Sequence, residues 1–524
     1  MKPPKSPAVL SLLLLAAALC GAAALPAPLC PGAERPTGAL AAAAGPPWPA
    51  LDYDSIDTLD APADYEDLIQ LSAVSAVSRL CAGSLSAVAY ATALLKRARA
   101  TQCLNAWAAL SPGAVLAEAA AADAAAASGR PARPLCGLPV GLKDVLDADG
   151  YPTVAGTPAL EGHYPPMQSL LTARLKAAGG VVLGKLRMHE LGGGDTTVSP
   201  VYGPTLNPHN VTHTVGGSSG GGGAALAARA APLVLCADSG GSCRSPAALT
   251  GTVGYRPSTG CFDAGAGVVG MGPTRDTVGV GARSVADARL LSAVLSDCSA
   301  PGAADQVASL SGLRVGRPAF WWDDIGDEVR PVLDAAMEAL KAAGAVVVDV
   351  DAAPLMAFYF EQIDDGLFYS YEMPRELAMY LATHNYSTSM QELVALIGTT
   401  STRLWLSAFL HGGWPTAAQY QAAVATSVPE LRRRWQALFD DADVAVLALP
   451  TTPLPARPIA DVEPMIDLNG MRKPFYEVMG RAFMADCVGG VPSISLPAGV
   501  TASFGPYPGG LPVGLMLQAR RTLF

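Results

Sequence analysis

From about Leu68 to Ala109 apolar residues recur at helical spacing, and the order SLSAV at 84–88 fits the opening of a long helix. The pattern then changes. Leu138 to Leu142 is a short unbroken apolar run, as in a buried strand, and Lys143 stands at its end. Ser169 to Ala178 reads as a helix and Val181 to Leu186 as a strand. Gly223 to Ala231 has helical composition, and Leu233 to Cys236 reads as another buried strand. Further on come a helix from Val285 to about Leu295, a strand at Leu313–Pro318, a helix at Glu328–Ala343 and a strand at Ala345–Val350. Val444–Pro450 and the segments VGGVPSISLPAG and GLPVGLMLQARR supply late strands. Such strand–helix–strand alternation predicts an α/β fold: a large mixed, mainly parallel central sheet covered by helices. Residues 351–440 depart from it, being mostly helical with an aromatic cluster of Phe358, Tyr359, Phe360, Phe368, Tyr369 and Tyr371.

The start of the chain carries an address. Lys2 and Lys5 precede an apolar stretch, Ala8 to Leu19, and Ala22-Ala23-Ala24 offers small residues before Leu25. This reads as a signal peptide over 1–24, and the run is short for a membrane span. The expected location is the secretory pathway or outside the cell, with an organelle as the alternative, and no transmembrane span in the mature chain. Residues 25–66, rich in Pro, Ala and Gly, read as an extension with little fixed structure, leaving 67–524 as the main domain. The sequons at Asn210 and Asn385 agree with a secreted glycoprotein. Cys20 leaves with the signal, so an odd number of the 10 cysteines remains and complete internal pairing is excluded. No CxxC or Cys/His spacing points to a metal. The net charge of −10 argues against a nucleic-acid partner.

Candidate chemistry concentrates in residues 216–246. A glycine-rich loop holds Ser218 and Ser219, and a second one, Asp238-Ser239-Gly240-Gly241-Ser242, follows one helix and one strand later. Such loops bring the backbone close to a ligand, and their consecutive N–H groups can hold an oxyanion. A serine nucleophile needs a base, and Lys143, dried by burial, can become one because desolvation lowers an amine's pKa. Cys243 reads as a small buried apolar filler rather than a thiol nucleophile.

Lys143 in GLKD, Ser218 in GGSSGG and Ser242 in DSGGSCR resemble the amidase signature family in residue type, order and spacing. The resemblance covers about residues 70–522. It implies a Ser–cis-Ser–Lys arrangement in which Ser242 is the nucleophile, Ser218 a relay with a cis peptide bond, and Lys143 the base. It further implies an oxyanion hole of backbone N–H groups from Ser239, Gly240, Gly241 and Ser242, supported by Ser219, Asp238 and Arg244. Asn105, His189, Thr274, Arg275 and Asp276 match family positions of scaffold character, so His189 is not read as a base. The family fold has helices on both faces of its sheet, and its activity calls for no metal or cofactor. FYSYEMPRELAMYL and GPTRDT resemble the mandelamide and indoleacetamide hydrolase branch, which implies a small aryl-acetamide substrate met by the helical insert. The partners open to such a chain are that amide and a second copy of the chain, in a homodimer.

Three other readings compete. GSSGG at 217–221 fits G-x-S-x-G, which would make Ser219 an elbow nucleophile and requires a strand immediately before Gly217. The glutamine-hydrolysing component of an amidotransferase uses the same residues on glutamine. An inactive relative would act as a secreted binding protein.

Overall fold

The computed structural model describes residues 51–298, 309–363, 365–412, 415–461, 465–502 and 510–521. The signal segment and residues 25–50 of the extension lie outside them. Eleven strands form one sheet. In chain order these are β1 (Trp107–Ala109), β2 (Pro139–Lys143), β3 (Val181–Leu186), β4 (Leu233–Ala237), β5 (Val253–Arg256), β6 (Val278–Ala282), β7 (Arg314–Pro318), β8 (Val346–Val350), β9 (Val446–Pro450), β10 (Ser493–Val500) and β11 (Pro512–Ala519). Their spatial order is β1-β3-β2-β4-β6-β5-β10-β11-β9-β7-β8. Parallel pairings make two blocks, β3-β2-β4 and β9-β7-β8. Antiparallel pairings through β6, β5, β10 and β11 join the blocks. The sheet is thus the expected large mixed one with helices around it.

The strands form where unbroken apolar runs let both faces be covered, and every residue of β2 and β3 is buried. The helical pattern after Leu68 is divided. Helix α1 (Ala73–Cys81) ends before Gly83, whose φ of +69° turns the chain. Helix α2 (Ala87–Ala100) then starts where the Ser86 hydroxyl caps the Ala89 N–H.

Residues 51–66, expected to have little fixed structure, are ordered instead. A helix at Tyr53–Asp57 buries Ile56 completely in the main core, and the Asp52 N–H donates to the Leu110 carbonyl. Composition hid this because a few apolar residues suffice to dock a short segment onto an existing core. The region 351–440 is helical as expected. Among the described residues no helix is long and apolar enough to cross a membrane.

Candidate active site

β2 and β4 are parallel neighbours, with Gly141 opposite Val234 and Leu142 opposite Leu235, so their C-terminal ends lie side by side. Lys143 is the last residue of β2, and the second serine loop leaves β4 at Asp238. Both serine loops feed helices. Ser218 and Ser219 lead into α3 (Gly220–Ala227), and Ser242 leads into α4 (Arg244–Thr250). All of the residues expected here are buried, and the structure brings them together.

The Lys143 ammonium nitrogen and the Ser218 hydroxyl are hydrogen-bonded at 2.6 Å, and the Gly217–Ser218 peptide is cis. Burial lowers the Lys143 pKa to about 7, with Asp238 and Asp276 pulling the other way. Near neutral pH an appreciable fraction of the amine is therefore uncharged and able to accept the serine proton. The two serine loops are tied directly. The Ser219 N–H donates to the Ser242 carbonyl at 3.1 Å, and the Ser219 hydroxyl donates to the Ala237 carbonyl at 3.2 Å.

Asp238 organises the second loop. Its Oδ1 accepts from the Gly241 N–H at 2.9 Å, and its Oδ2 from the Cys243 N–H at 3.2 Å. The Arg244 guanidinium adds a two-point contact, Nε to Oδ2 at 2.9 Å and Nη2 to Oδ1 at 2.8 Å. Burial alone would raise the Asp238 pKa, but Arg244, Arg256 and the loop amides hold it well below the usual carboxylate range. Arg244 continues to Asp486 and to the Ser493 hydroxyl.

One expected oxyanion donor needs correction. Gly241 commits its N–H to Asp238, because its φ of +94° curls the loop back onto that carboxylate. The N–H groups of Ser239, Gly240 and Ser242 have no hydrogen-bond partner among the described residues. They are the donors left for a ligand oxygen.

Cys243 is buried, as expected of a small filler, and beyond that expectation it forms a disulfide with Cys236 across the ends of the loop. Spacing in the chain could not reveal that pairing, which depends on how β4 and α4 meet.

Glycines let neighbouring side chains close in on these groups. A Cβ added at Gly192 would lie 2.8 Å from Met271 Sδ and 3.8 Å from the Ser218 hydroxyl. One at Gly193 would lie 2.6 Å from Thr402 Oγ1 and 3.4 Å from the Trp405 ring. One at Gly240 would lie 3.0 Å from Met484 Cε and 3.2 Å from the Tyr369 hydroxyl. Tyr369, on α5 (Asp365–Thr383), stacks on Trp405, on α6 (Thr400–Leu410), with ring centroids 5.5 Å apart. Both rings are half-buried, and Arg275 lies over the Tyr369 ring at 3.2 Å. Trp405, Thr402, Met271, Met484, Arg256 and Asp486 were not marked by any sequence motif. For Asp486 the available signal was a lone carboxylate in the apolar segment AFMADCVGGVP.

The remaining expected residues have scaffold geometry. The Asn105 amide donates to the Tyr202 carbonyl at 3.0 Å and the Pro204 carbonyl at 3.2 Å. Thr274 binds Glu372 through its N–H and hydroxyl, and Asp276 accepts from the N–H groups of Met271 and Gly272. His189 is held neutral, its pKa lowered to about 4 by burial and by the charge on Lys143. The elbow reading fails locally. The strand Asn210–Thr214 belongs to a separate two-stranded sheet, and the Ser219 hydroxyl is directed at Ala237. Asn210 is only 8% exposed and its Oδ1 accepts from Thr212, whereas Asn385 is exposed.

A family model described as Amidase matches residues 89–522. The chain belongs to the amidase signature family. Within that family it is 32% identical over 467 residues to the GatA-type component of the glutamyl-tRNA(Gln) amidotransferase of Streptomyces coelicolor, covering 83% of this chain and 92% of the relative. It is 29% identical over 386 residues to the indoleacetamide hydrolase of Allorhizobium ampelinum, covering 73% and 80%. The native peptide amidase of Stenotrophomonas maltophilia superimposes with a TM-score of 0.70 at 27% identity, covering 86% of this chain and 93% of that one. Family membership supports amide hydrolysis as the chemistry of this amidase fold.

Proposed function

We propose that this amidase hydrolyses a small amide with an aryl-bearing acyl group, releasing the acid and ammonia or an amine. The observation that carries the chemistry is the buried Lys143–Ser218 contact beside the Ser242 loop. Ser242 Oγ attacks the amide carbonyl while its proton passes to Ser218 and the Ser218 proton to the neutral Lys143 amine. The carbonyl oxygen gains negative charge and is held by the N–H groups of Ser239, Gly240 and Ser242. Return of the proton to the leaving nitrogen breaks the C–N bond and leaves an acyl-enzyme. A water molecule, deprotonated through the same relay, then attacks the ester and frees Ser242. The stacked pair Tyr369–Trp405 supports an aryl acyl group, since offset aromatic contacts suit a flat apolar substrate.

Secretion is part of the same proposal. Disulfides Cys81–Cys136, Cys236–Cys243 and Cys261–Cys298 support an oxidising compartment.

A second reading rests on the 32% identity to the amidotransferase component, and it replaces the aryl amide by glutamine. Glutamine brings an α-ammonium and an α-carboxylate; the Tyr369–Trp405 pair offers them an apolar surface, while the Arg275 guanidinium over the Tyr369 ring offers the carboxylate a cation. One experiment tests both. Indoleacetamide, mandelamide, a long-chain fatty amide and glutamine are each offered to the mature protein and to its Ser242→Ala variant. Turnover of an arylacetamide by the wild type alone is expected. Turnover of glutamine alone would transfer weight to the second reading. Absence of turnover together with no labelling by a serine-directed fluorophosphonate would favour a binding protein.

A further inference from the structure

The disulfide Cys236–Cys243 encloses the whole second serine loop. Cys236 lies in β4, Cys243 immediately follows Ser242, and their Cα atoms are 5.5 Å apart. Within the loop so closed are the three uncommitted N–H donors and Ser242 itself. The other serine loop is anchored to the same short segment, through Ser219 to the carbonyls of Ala237 and Ser242. The bridge packs on the neighbouring strand. Gly279 in β6 is the register partner of Cys236, and a Cβ there would meet the Tyr255 carbonyl at 2.5 Å and both Cys236 Sγ and Cys243 Sγ at 3.3 Å. The one free cysteine among the described residues, Cys487, is buried beneath the loop, with Sγ 3.2 Å from Arg244 Nη2.

We propose that Cys236 and Cys243 are positioning residues whose disulfide holds the oxyanion loop and Ser242 in register with Ser218, so that full amide-hydrolysing activity depends on their oxidised state. This rests on Ser242 being the nucleophile. A reducing dithiol opens the bridge by transferring two electrons to it. The S–S bond becomes two thiols, and the dithiol closes to its own cyclic disulfide. Asp238 and Arg244 still hold the loop broadly in place, but the step from β4 to α4 is then no longer tied, and misplacement of reacting groups by a fraction of an ångström lowers turnover more than binding.

The test is a dithiothreitol titration of the wild type, with kcat and KM for its best amide, fluorophosphonate labelling of Ser242, and mass mapping of each disulfide. Variants C236A/C243A and C236V/C243V are measured in parallel. Opening of the 236–243 bridge is expected to lower kcat roughly tenfold or more with a smaller change in KM. Reoxidation with oxidised glutathione restores it. C236A/C243A starts at the lowered kcat and ignores dithiothreitol, and C236V/C243V, which restores packing without the cross-link, does not recover. The proposal is overturned if C236A/C243A has wild-type kcat. It is equally overturned if kcat and labelling of the wild type stay constant while mapping shows the 236–243 pair reduced, a result available even where the variants do not fold. No amide turnover by the fully oxidised wild type counts instead against the functional reading, and labelling then reports the effect of reduction.

Discussion

The Lys143 amine lies 2.6 Å from the Ser218 hydroxyl, and neither residue is more than 3% exposed. A charge dried to that extent is held against its preference, which is why the amine titrates near 7 rather than at 10.5. The base form is the neutral amine, so it accumulates as pH rises. We expect kcat/KM for the best amide to increase tenfold per pH unit below about 7 and to level off above it. Lys143→Ala should lower the plateau by roughly 10²- to 10⁴-fold while the far-ultraviolet circular dichroism stays unchanged. A flat profile from pH 5 to 9 would remove Lys143 as the titrating group.

The same shift is a statement about stability. In the unfolded chain the Lys143 amine keeps its proton up to about pH 10.4, whereas in the folded chain it has lost it above about 7. Between those values the unfolded state binds more protons, so this residue's contribution to stability rises with pH and is lost as pH falls through about 7. Lys143→Met removes the dependence. Urea denaturation should find the variant more stable than the wild type at pH 6, with the gap shrinking by roughly 2–3 kcal/mol by pH 9. A gap that widens with pH would reverse the sign of the argument.

What could be read in the chain beforehand follows from where each signal resides. Val181–Leu186 was delimited to the residue because a buried strand is written in adjacent apolar positions. The two serine loops were legible for a similar reason, since their glycines and hydroxyls are neighbours in sequence. Asp486 and Arg256 were not. They reach Arg244 and Asp238 only after distant segments pack, with Asp486 lying 242 residues beyond its partner Arg244. Trp405 and Thr402 face the site because α6 folds over it, and nothing local distinguishes them from other helical residues. The glycine at 241 permits its positive φ, but that its N–H is committed to the Asp238 carboxylate is set by how the folded loop turns, which no residue type announces.

Arg244 is fully buried between two carboxylates, paired with Asp238 and with Asp486. Replacing it by Met would leave both acids buried without their principal cation. We expect a loss of about 3–5 kcal/mol in urea denaturation, far above that of a surface Arg such as Arg433. Arg244→Lys should recover only part of this, since one ammonium cannot reproduce the two-point contact with Asp238. A loss under about 1 kcal/mol for Arg244→Met would mean that the carboxylates find other partners or take up protons.

Tyr369 is the residue through which the proposed aryl preference can be tested. Its ring stacks on Trp405 with an interplanar angle of 14°, and its hydroxyl approaches the oxyanion loop at Gly240. Tyr369→Ala removes the stacking face but none of the groups assigned to proton transfer or to the oxyanion. An aromatic contact is worth about 0.5–1.5 kcal/mol beyond burial, so KM for indoleacetamide or mandelamide should rise roughly three- to tenfold. A small aliphatic amide, which cannot use the ring, should change by less than about twofold under the same conditions. Tyr369→Phe separates the face from the hydroxyl and should keep KM for the aryl amide near the wild-type value. Equal losses for aryl and aliphatic substrates would assign Tyr369 to holding α5 over the site, through Arg275 and Trp405, and would remove the observation behind the proposed aryl preference.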